Sequence, residues 1–312
     1  MDAPIEPEEY FVWALSIDLE SWVHRRVASS VSSGSKKKLD QGYIEKATLD
    51  ILNLLDRQDR KITFFVVSEI FDWYPDVIQE IKTRGHEVAY HTHTHRYIRT
   101  AKDLAEELKQ SRSFIREFEP IGFRAPEARI SAVCLKILVG YGFEYDSSSY
   151  GNLDTSVMIH GVREIPISTF KFLNSPDNPR LPRNITKRLL CRELPLGSAF
   201  FMSALGPAAK VLPNALGFQN KVPVTFIHPW QIMTLDTDPL TSERDLFKRT
   251  ALLLYSRRCL GPLIYLLNRF QTIRMKDLAH SLTVNAHALD VRTDPRVSGA
   301  LFDEQKAEKA RE

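Results

Sequence analysis

Short apolar segments rich in β-branched and aromatic residues alternate with longer stretches of helical periodicity along most of this chain. That alternation restricts the fold more than any other feature. Segments 11–17, 61–67, 87–90, 162–167, 222–227 and 272–275 read as strands. Between them lie helical segments at 43–55, 70–83, 104–118, 132–139 and 245–256, the last behind a capping serine, Ser242. In the first of these, Ile44, Ala47, Leu49, Ile51, Leu52 and Leu55 suit a largely buried face. Strand and helix in turn predict an α/β architecture with a parallel sheet. A length of 312 residues with 43% hydrophobic content suffices for one large barrel or two small domains. The chemistry-bearing motifs span most of that length, which selects a single domain.

The densest chemical signal is His91-Thr-His-Thr-His95, three of the nine histidines within five residues. Neutral imidazole is the commonest metal ligand, so the cluster asks for a metal. On a continuing strand the three rings would share one face, with the outer two about 13 Å apart and unable to meet at one ion. On a helical turn only His91 and His95 stack. The segment 87–90 reads as a strand that ends here, which favours the turn and the outer pair. A second constellation lies upstream, where the apolar run 11–17 ends in Asp18-Leu-Glu20. On a strand those carboxylates point the same way about 6.6 Å apart, so one can hold a metal while the other reaches its bound water.

Three further pieces follow in order: Gly122-Phe-Arg-Ala-Pro126, Gly142-Phe-Glu-Tyr-Asp-Ser147 and Thr225-Phe-Ile-His-Pro-Trp230. With Asp18-x-Glu20, Thr63-Phe-Phe-Val66 and His91-x-x-x-His95, the ordered set resembles the motif series of the NodB-homology polysaccharide deacetylases over roughly residues 10–285. It is most similar to the subgroup with Asp-x-Glu as first motif and His-Pro-Trp as last. The resemblance implies a distorted (β/α) barrel of about seven parallel strands, one fewer than the standard eight. It also implies that Asp18 is the general base, that Arg124 orients it, that Glu20, His91 and His95 bind a divalent metal, and that His228 is the general acid. Zinc is the default by ligand type, and cobalt, nickel, manganese or iron suit the same donors. Asp146 is a candidate to set the His228 tautomer, against a competing reading as a core polar group paired with Ser147 and Ser148. The backbone N–H after Arg124 is the expected donor to a tetrahedral oxyanion. The chain departs from the family in carrying His93 between the two ligand histidines, and in Gly197-Ser-Ala-Phe-Phe-Met202, where relatives end a similar stretch in arginine.

The implied reaction is metal-dependent hydrolysis of an N-acetyl group on an amino sugar or glycan precursor. Two alternatives stand beside it: a hydrolase of a non-sugar amide, like the cofactor-independent allantoinases, and an inactive carbohydrate-binding relative. The implied partner is an N-acetylated sugar. A net charge of +3, from 42 basic and 39 acidic residues, gives no case for nucleic acid. The sequence does not fix an oligomeric state.

Residues 1–10 read as an N-terminal extension, 11–285 as the barrel, and 286–312 as a charged tail. Within the barrel, 175–221 is an irregular insertion whose apolar part, 200–212, is interrupted by Gly206 and Pro207, so that core packing is expected rather than a long amphipathic helix. The stretch 27–38, rich in Ser and Lys, reads as a solvated loop on the catalytic face. Cys134, Cys191 and Cys259 read as buried free thiols. No signal peptide or membrane span is visible, so a cytoplasmic location is expected, where the Asn184-Ile-Thr186 sequon would have no use.

Overall fold

The computed structural model describes residues 12–27, 31–153, 156–171, 193–217, 222–233 and 259–288. A parallel run of strands forms its centre. The strands are β1 (Val12–Leu19), β2 (Thr63–Val66), β3 (Glu87–Tyr90), β4 (Gly122–Phe123), β5 (Tyr145–Asp146), β6 (Tyr150–Gly151), β7 (Val157–Ile159), β8 (Val162–Glu164), β9 (Ile167–Ser168), β10 (Phe170–Lys171), β11 (Glu193–Leu194), β12 (Val224–Ile227) and β13 (Gln271–Thr272). In the main sheet the order is β12-β1-β2-β3-β4-β5-β8-β7. All neighbours from β12 to β8 are parallel, which makes the expected seven, and β7 returns antiparallel at the end. β13 adds to the start of β1.

Strand alternation sorts β1 into two faces. Trp13, Leu15, Ile17 and Leu19 enter the larger core together with apolar residues of the surrounding helices. Ala14 belongs to a second core with Phe65, Ala89, Tyr145, Val224, Met275 and Leu278, and Ser16 and Asp18 share its side of the strand. That second core is the barrel interior, closed below by the helix Met275–Ala288. Glu87 fastens this helix: its carboxylate accepts from Thr63 Oγ1 (2.7 Å), Tyr145 Oη (2.8 Å) and the Lys276 backbone N–H (2.9 Å). The seam between β9 and β12 is bridged by Gly197, whose N–H donates to Ser168 O (2.8 Å) and whose carbonyl accepts from Phe226 N–H (3.0 Å).

The helices are α1 (Trp22–Arg26), α2 (Ser33–Asp40), α3 (Tyr43–Arg57), α4 (Glu69–Trp73), α5 (Pro75–Thr83), α6 (Ala101–Gln110), α7 (Arg112–Phe118) and α8 (Ala132–Gly140), with further helices downstream. Two expected helices are each split. Pro75 forces Tyr74 out of the helical region (φ −141°, ψ 69°), dividing α4 from α5. Ser111 turns its hydroxyl back onto Glu107 O (2.9 Å) between α6 and α7. Met275, expected to end a strand, instead opens the closing helix.

The Ser- and Lys-rich stretch departs most from expectation. Residues 33–40 are helical, and Lys36 is buried with its ammonium 2.9 Å from the Glu69 carboxylate. Trp73 Nε1 donates to Ser33 Oγ (2.7 Å) and Lys37 Nζ to Trp73 O (2.6 Å). This helix is held by polar contacts, so no apolar periodicity announces it. The insertion behaves as expected where it is described: Ala199–Ala204, Gly206–Val211 and Leu212–Gly217 are short helical pieces, and Met202, Ala209 and Leu212 join the main core. The helix expected at 245–256 with Ser242, Cys191, the Asn184 sequon, residues 1–10 and the tail beyond 288 lie outside the described residues. Cys134 and Cys259 are both buried, Cys259 as a free thiol. Among the described residues no helix is long and apolar enough to cross a membrane.

Candidate active site

Parallel strands place their C-terminal ends at one rim, and most of the expected site residues gather there. Asp18 is the penultimate residue of β1, Glu20 follows its end, His91 follows β3, Arg124 follows β4, and His228 follows β12. All five are buried. Glu20 does not continue the strand, because its N–H turns back to Asp18 O (3.0 Å). The two carboxylates therefore meet different neighbours.

Asp18 meets a cation. Arg124 Nη1 donates to Asp18 Oδ1 at 2.7 Å and to Ser16 Oγ at 2.8 Å. The guanidinium lies 4.0 Å over the Phe65 ring and 5.1 Å from that of Phe226, while Nε and Nη2 donate to Ser147 O and Ser147 Oγ, both at 3.0 Å. With every guanidinium nitrogen engaged, Arg124 holds the Asp18 side chain in one orientation.

Glu20 meets imidazoles. Its Oε2 lies 2.9 Å from His95 Nε2 and its Oε1 3.2 Å from His228 Nε2. Burial alone would raise its pKa, but His95 and His228 overcome that and hold it well below the usual carboxylate range. His95 is the converse: burial disfavours its charged form, yet the Glu20 carboxylate raises its pKa. His91 faces differently. Its Nδ1 is 2.6 Å from the Arg124 carbonyl, which can only accept, so Nδ1 carries the hydrogen and Nε2 keeps its lone pair. Burial lowers its pKa to about 4, leaving it neutral.

The outer pair does converge, with ring centroids 5.0 Å apart, but not on a helical turn. The loop is irregular, and Thr92 and His95 both take positive φ (65° and 57°). His93 turns the other way, its Nδ1 3.0 Å from Ser68 Oγ and its Nε2 3.8 Å from Asp72.

Glu20, His91 and His95 supply an ionised carboxylate, a neutral imidazole and an imidazole pressed against that carboxylate. Among the described residues no trio of His, Cys, Asp or Glu side chains is set around a common point as it stands. The donor chemistry nevertheless fits a cation. Glu20 Oε2 is buried without a hydrogen bond, its contact with His95 falling outside hydrogen-bonding geometry. His91 is locked in the tautomer whose Nε2 can ligate.

Two expectations are corrected. The partner found on His228 Nδ1 is Gln231 rather than Asp146, whose Oδ1 accepts from Ser148 Oγ (2.6 Å) and which lies beside the buried Glu164. Burial and the neighbouring Asp146 carboxylate push the Glu164 pKa well above the usual range. The competing reading, a core polar group with Ser147 and Ser148, describes Asp146. The backbone N–H after Arg124 is likewise committed, since Ala125 N donates to Ser148 Oγ at 2.8 Å. Sequence reasoning also missed Gln231. Its Nε2 donates to Ala199 O and Ser203 Oγ, both at 2.8 Å, which points its Oε1 at His228, 2.8 Å from the backbone N and 3.1 Å from Nδ1. An amide oxygen only accepts, so His228 is protonated on Nδ1 and turns Nε2 toward Glu20. Trp230 stacks on the same ring at 4.5 Å.

Residues 38–145 match the family model described as polysaccharide deacetylase. A peptidoglycan-N-acetylglucosamine deacetylase of Bacillus cereus is 31% identical over 72 residues, 22% of this chain and 26% of its own length. A second Bacillus cereus protein of that name is 26% identical over 109 residues, 34% of this chain and 51% of its own. The chain thus spans about a quarter to a half of the curated relatives it matches. Among solved structures, a Mycobacterium smegmatis protein assigned to the polysaccharide deacetylases superposes with a TM-score of 0.54 at 17% identity, covering 94% of this chain and 97% of its own. The Puue allantoinase gives 0.53 at 16% identity, covering 94% and 100%. These two establish a shared fold.

Proposed function

Because residues 38–145 match the polysaccharide deacetylase family model, we propose that the chain hydrolyses the N-acetyl amide of an acetylated amino sugar or glycan precursor. In this reading a divalent ion, zinc by donor type, is held by Glu20, His91 and His95. The carrying observation is the division of labour at the rim: one buried carboxylate fixed by a guanidinium, and its neighbour two residues on set between imidazoles.

A bound ion would polarise the amide carbonyl and acidify a water molecule. Asp18 accepts that water's proton. Arg124 takes Oδ1, so the proton goes to Oδ2, and the guanidinium keeps the carboxylate aimed throughout. His228, with Nδ1 fastened to Gln231, carries a proton on Nε2 and delivers it to the departing amine. An amide breaks poorly without that proton. The Trp230 ring, stacked on the imidazole, keeps it from rotating away.

The test is acetate release from N-acetylglucosamine oligomers by protein stripped with a chelator and then reloaded with Zn2+. Allantoin, the small amide of the alternative reading, serves as the comparison. Acetate release that disappears on stripping and returns on reloading supports the proposal. Turnover of allantoin alone would replace the sugar with a non-sugar amide, and acetate release indifferent to chelation would remove the metal.

A further inference from the structure

We propose that Glu107, on α6, is the positioning residue that fixes the His91–His95 loop in the shape that brings its outer imidazoles together. The inference rests on the reading of those two histidines as ligands. Left to itself the loop would not hold this shape. Thr92 and His95 both occupy the left-handed region, and a β-branched residue is seldom found there. The chain around them must impose it.

Two sets of hydrogen bonds do so from opposite sides. The carbonyls of Thr92 and His93 accept from the backbone N–H groups of Ser68 and Glu69, at 3.0 and 3.1 Å. The N–H groups of His93 and Thr94, which lie between the two left-handed residues, both donate to a single oxygen, Glu107 Oε2, each at 2.8 Å. The Thr94 hydroxyl donates to Oε1 of the same carboxylate at 2.9 Å. Glu107 is fully buried, so no water competes for these donors. Only an acceptor with several lone pairs can take two consecutive N–H groups and a hydroxyl, and its charge strengthens each bond. With His93 and Thr94 pinned, the loop keeps positive φ at Thr92 and His95. The middle imidazole is turned toward Ser68 and the outer two are left facing each other.

Glu107→Ala removes both acceptor oxygens and with them all three hydrogen bonds. Glu107→Gln nearly preserves shape, because its amide oxygen can take both N–H groups and its NH2 can donate to the Thr94 hydroxyl. Two measurements separate the loop from the metal. Amide hydrogen exchange at His93 and Thr94 is followed by NMR in the metal-free proteins, and Zn2+ affinity is measured by calorimetry. In Glu107→Ala the two amides should lose protection while those of α3 keep theirs, and Zn2+ should bind ~10–100-fold more weakly, the usual effect of removing a partner behind a ligand. Glu107→Gln should restore most of both. Should the alanine protein not fold, the glutamine protein decides: a modest loss of protection confined to His93 and Thr94 supports the proposal. Unchanged exchange in a folded variant, or a rise that includes α3, overturns it. If the wild-type protein takes up no Zn2+, the proposed function falls, and the exchange experiment still judges Glu107.

Discussion

Asp18 and Glu20 are chemically similar and two residues apart, and in the proposed reaction their surroundings alone give them separate work. Asp18 has a cation fastened to one oxygen, so its amide isostere keeps the shape and loses the basicity. Glu20 lies where its charge offsets His95 and His228. Asp18→Asn should therefore keep stoichiometric Zn2+ and lose roughly 10²–10⁴-fold in turnover, the usual worth of a general base. Glu20→Gln should lose metal first. Metal analysis alongside acetate release checks both, and the reverse pattern would exchange the two roles. His228 is tested through its leaving group. A phenolate departs readily without a proton and an amine does not, so His228→Ala should depress amide hydrolysis far more than hydrolysis of an aryl acetate. Equal losses would make it a binding residue. The residue types of this site were legible in the sequence because histidines and carboxylates are conspicuous at strand ends. Gln231 and Glu107 were not, since each acts through an oxygen that any surface Gln or Glu also carries.

The elements that sequence reading found are those whose stability comes from an apolar face: α3 and β3 lie where periodicity and β-branched content put them. The helix α2 escaped because its anchor is an ion pair. Lys36 meets Glu69 Oε2 at 2.9 Å, and His24 Nε2 meets the same oxygen at 3.2 Å. Removing one partner of a buried pair leaves the other charge stranded. Lys36→Ala should therefore cost about 3–5 kcal/mol, whereas Lys38→Ala, on the exposed side of the same helix, should stay within about 0.5 kcal/mol. Guanidinium unfolding of the two variants makes the comparison. The pH dependence has a definite sign. Burial would raise the Glu69 pKa, but His24 and Lys36 outweigh it and bring it down to about 2. A depressed carboxyl stabilises the fold above its unfolded pKa, about 4.3, and that contribution is lost as pH falls toward 2. Glu69→Gln should then be less stable than wild type at pH 6, with the gap closing between pH 5 and pH 2. A gap that is constant with pH would remove Glu69 from the acid response.

At the scale of the whole molecule, alternating strand and helix announced a parallel barrel, but nothing in the pattern showed how an incomplete ring of seven strands would close. The closure is made by backbone groups of Gly197 together with the Ser168 hydroxyl, which accepts from Val224 N–H at 2.9 Å. Gly197 sits between Ser168 and Val224 and links β9 to β12 through its own N–H and carbonyl. A Cβ at Gly197 would lie 2.5 Å from Val224 O and 2.8 Å from Ser168 O, and both are main-chain atoms that cannot swing aside. Opening the seam to make room would displace β12, at whose end His228 stands, and the Ala199 carbonyl that orients Gln231. Gly197→Ala should accordingly cost about 3 kcal/mol or more, at or above the usual range for overpacking. It should also lower turnover in the protein that remains folded. Gly140 provides the control, being helical with no atom within 4 Å of an added Cβ. Gly140→Ala should be neutral or stabilise by about 0.4–1 kcal/mol through the unfolded chain alone. Thermal unfolding and acetate release measured on both variants settle the point: equal tolerance at the two glycines would mean that the barrel is not held shut at Gly197.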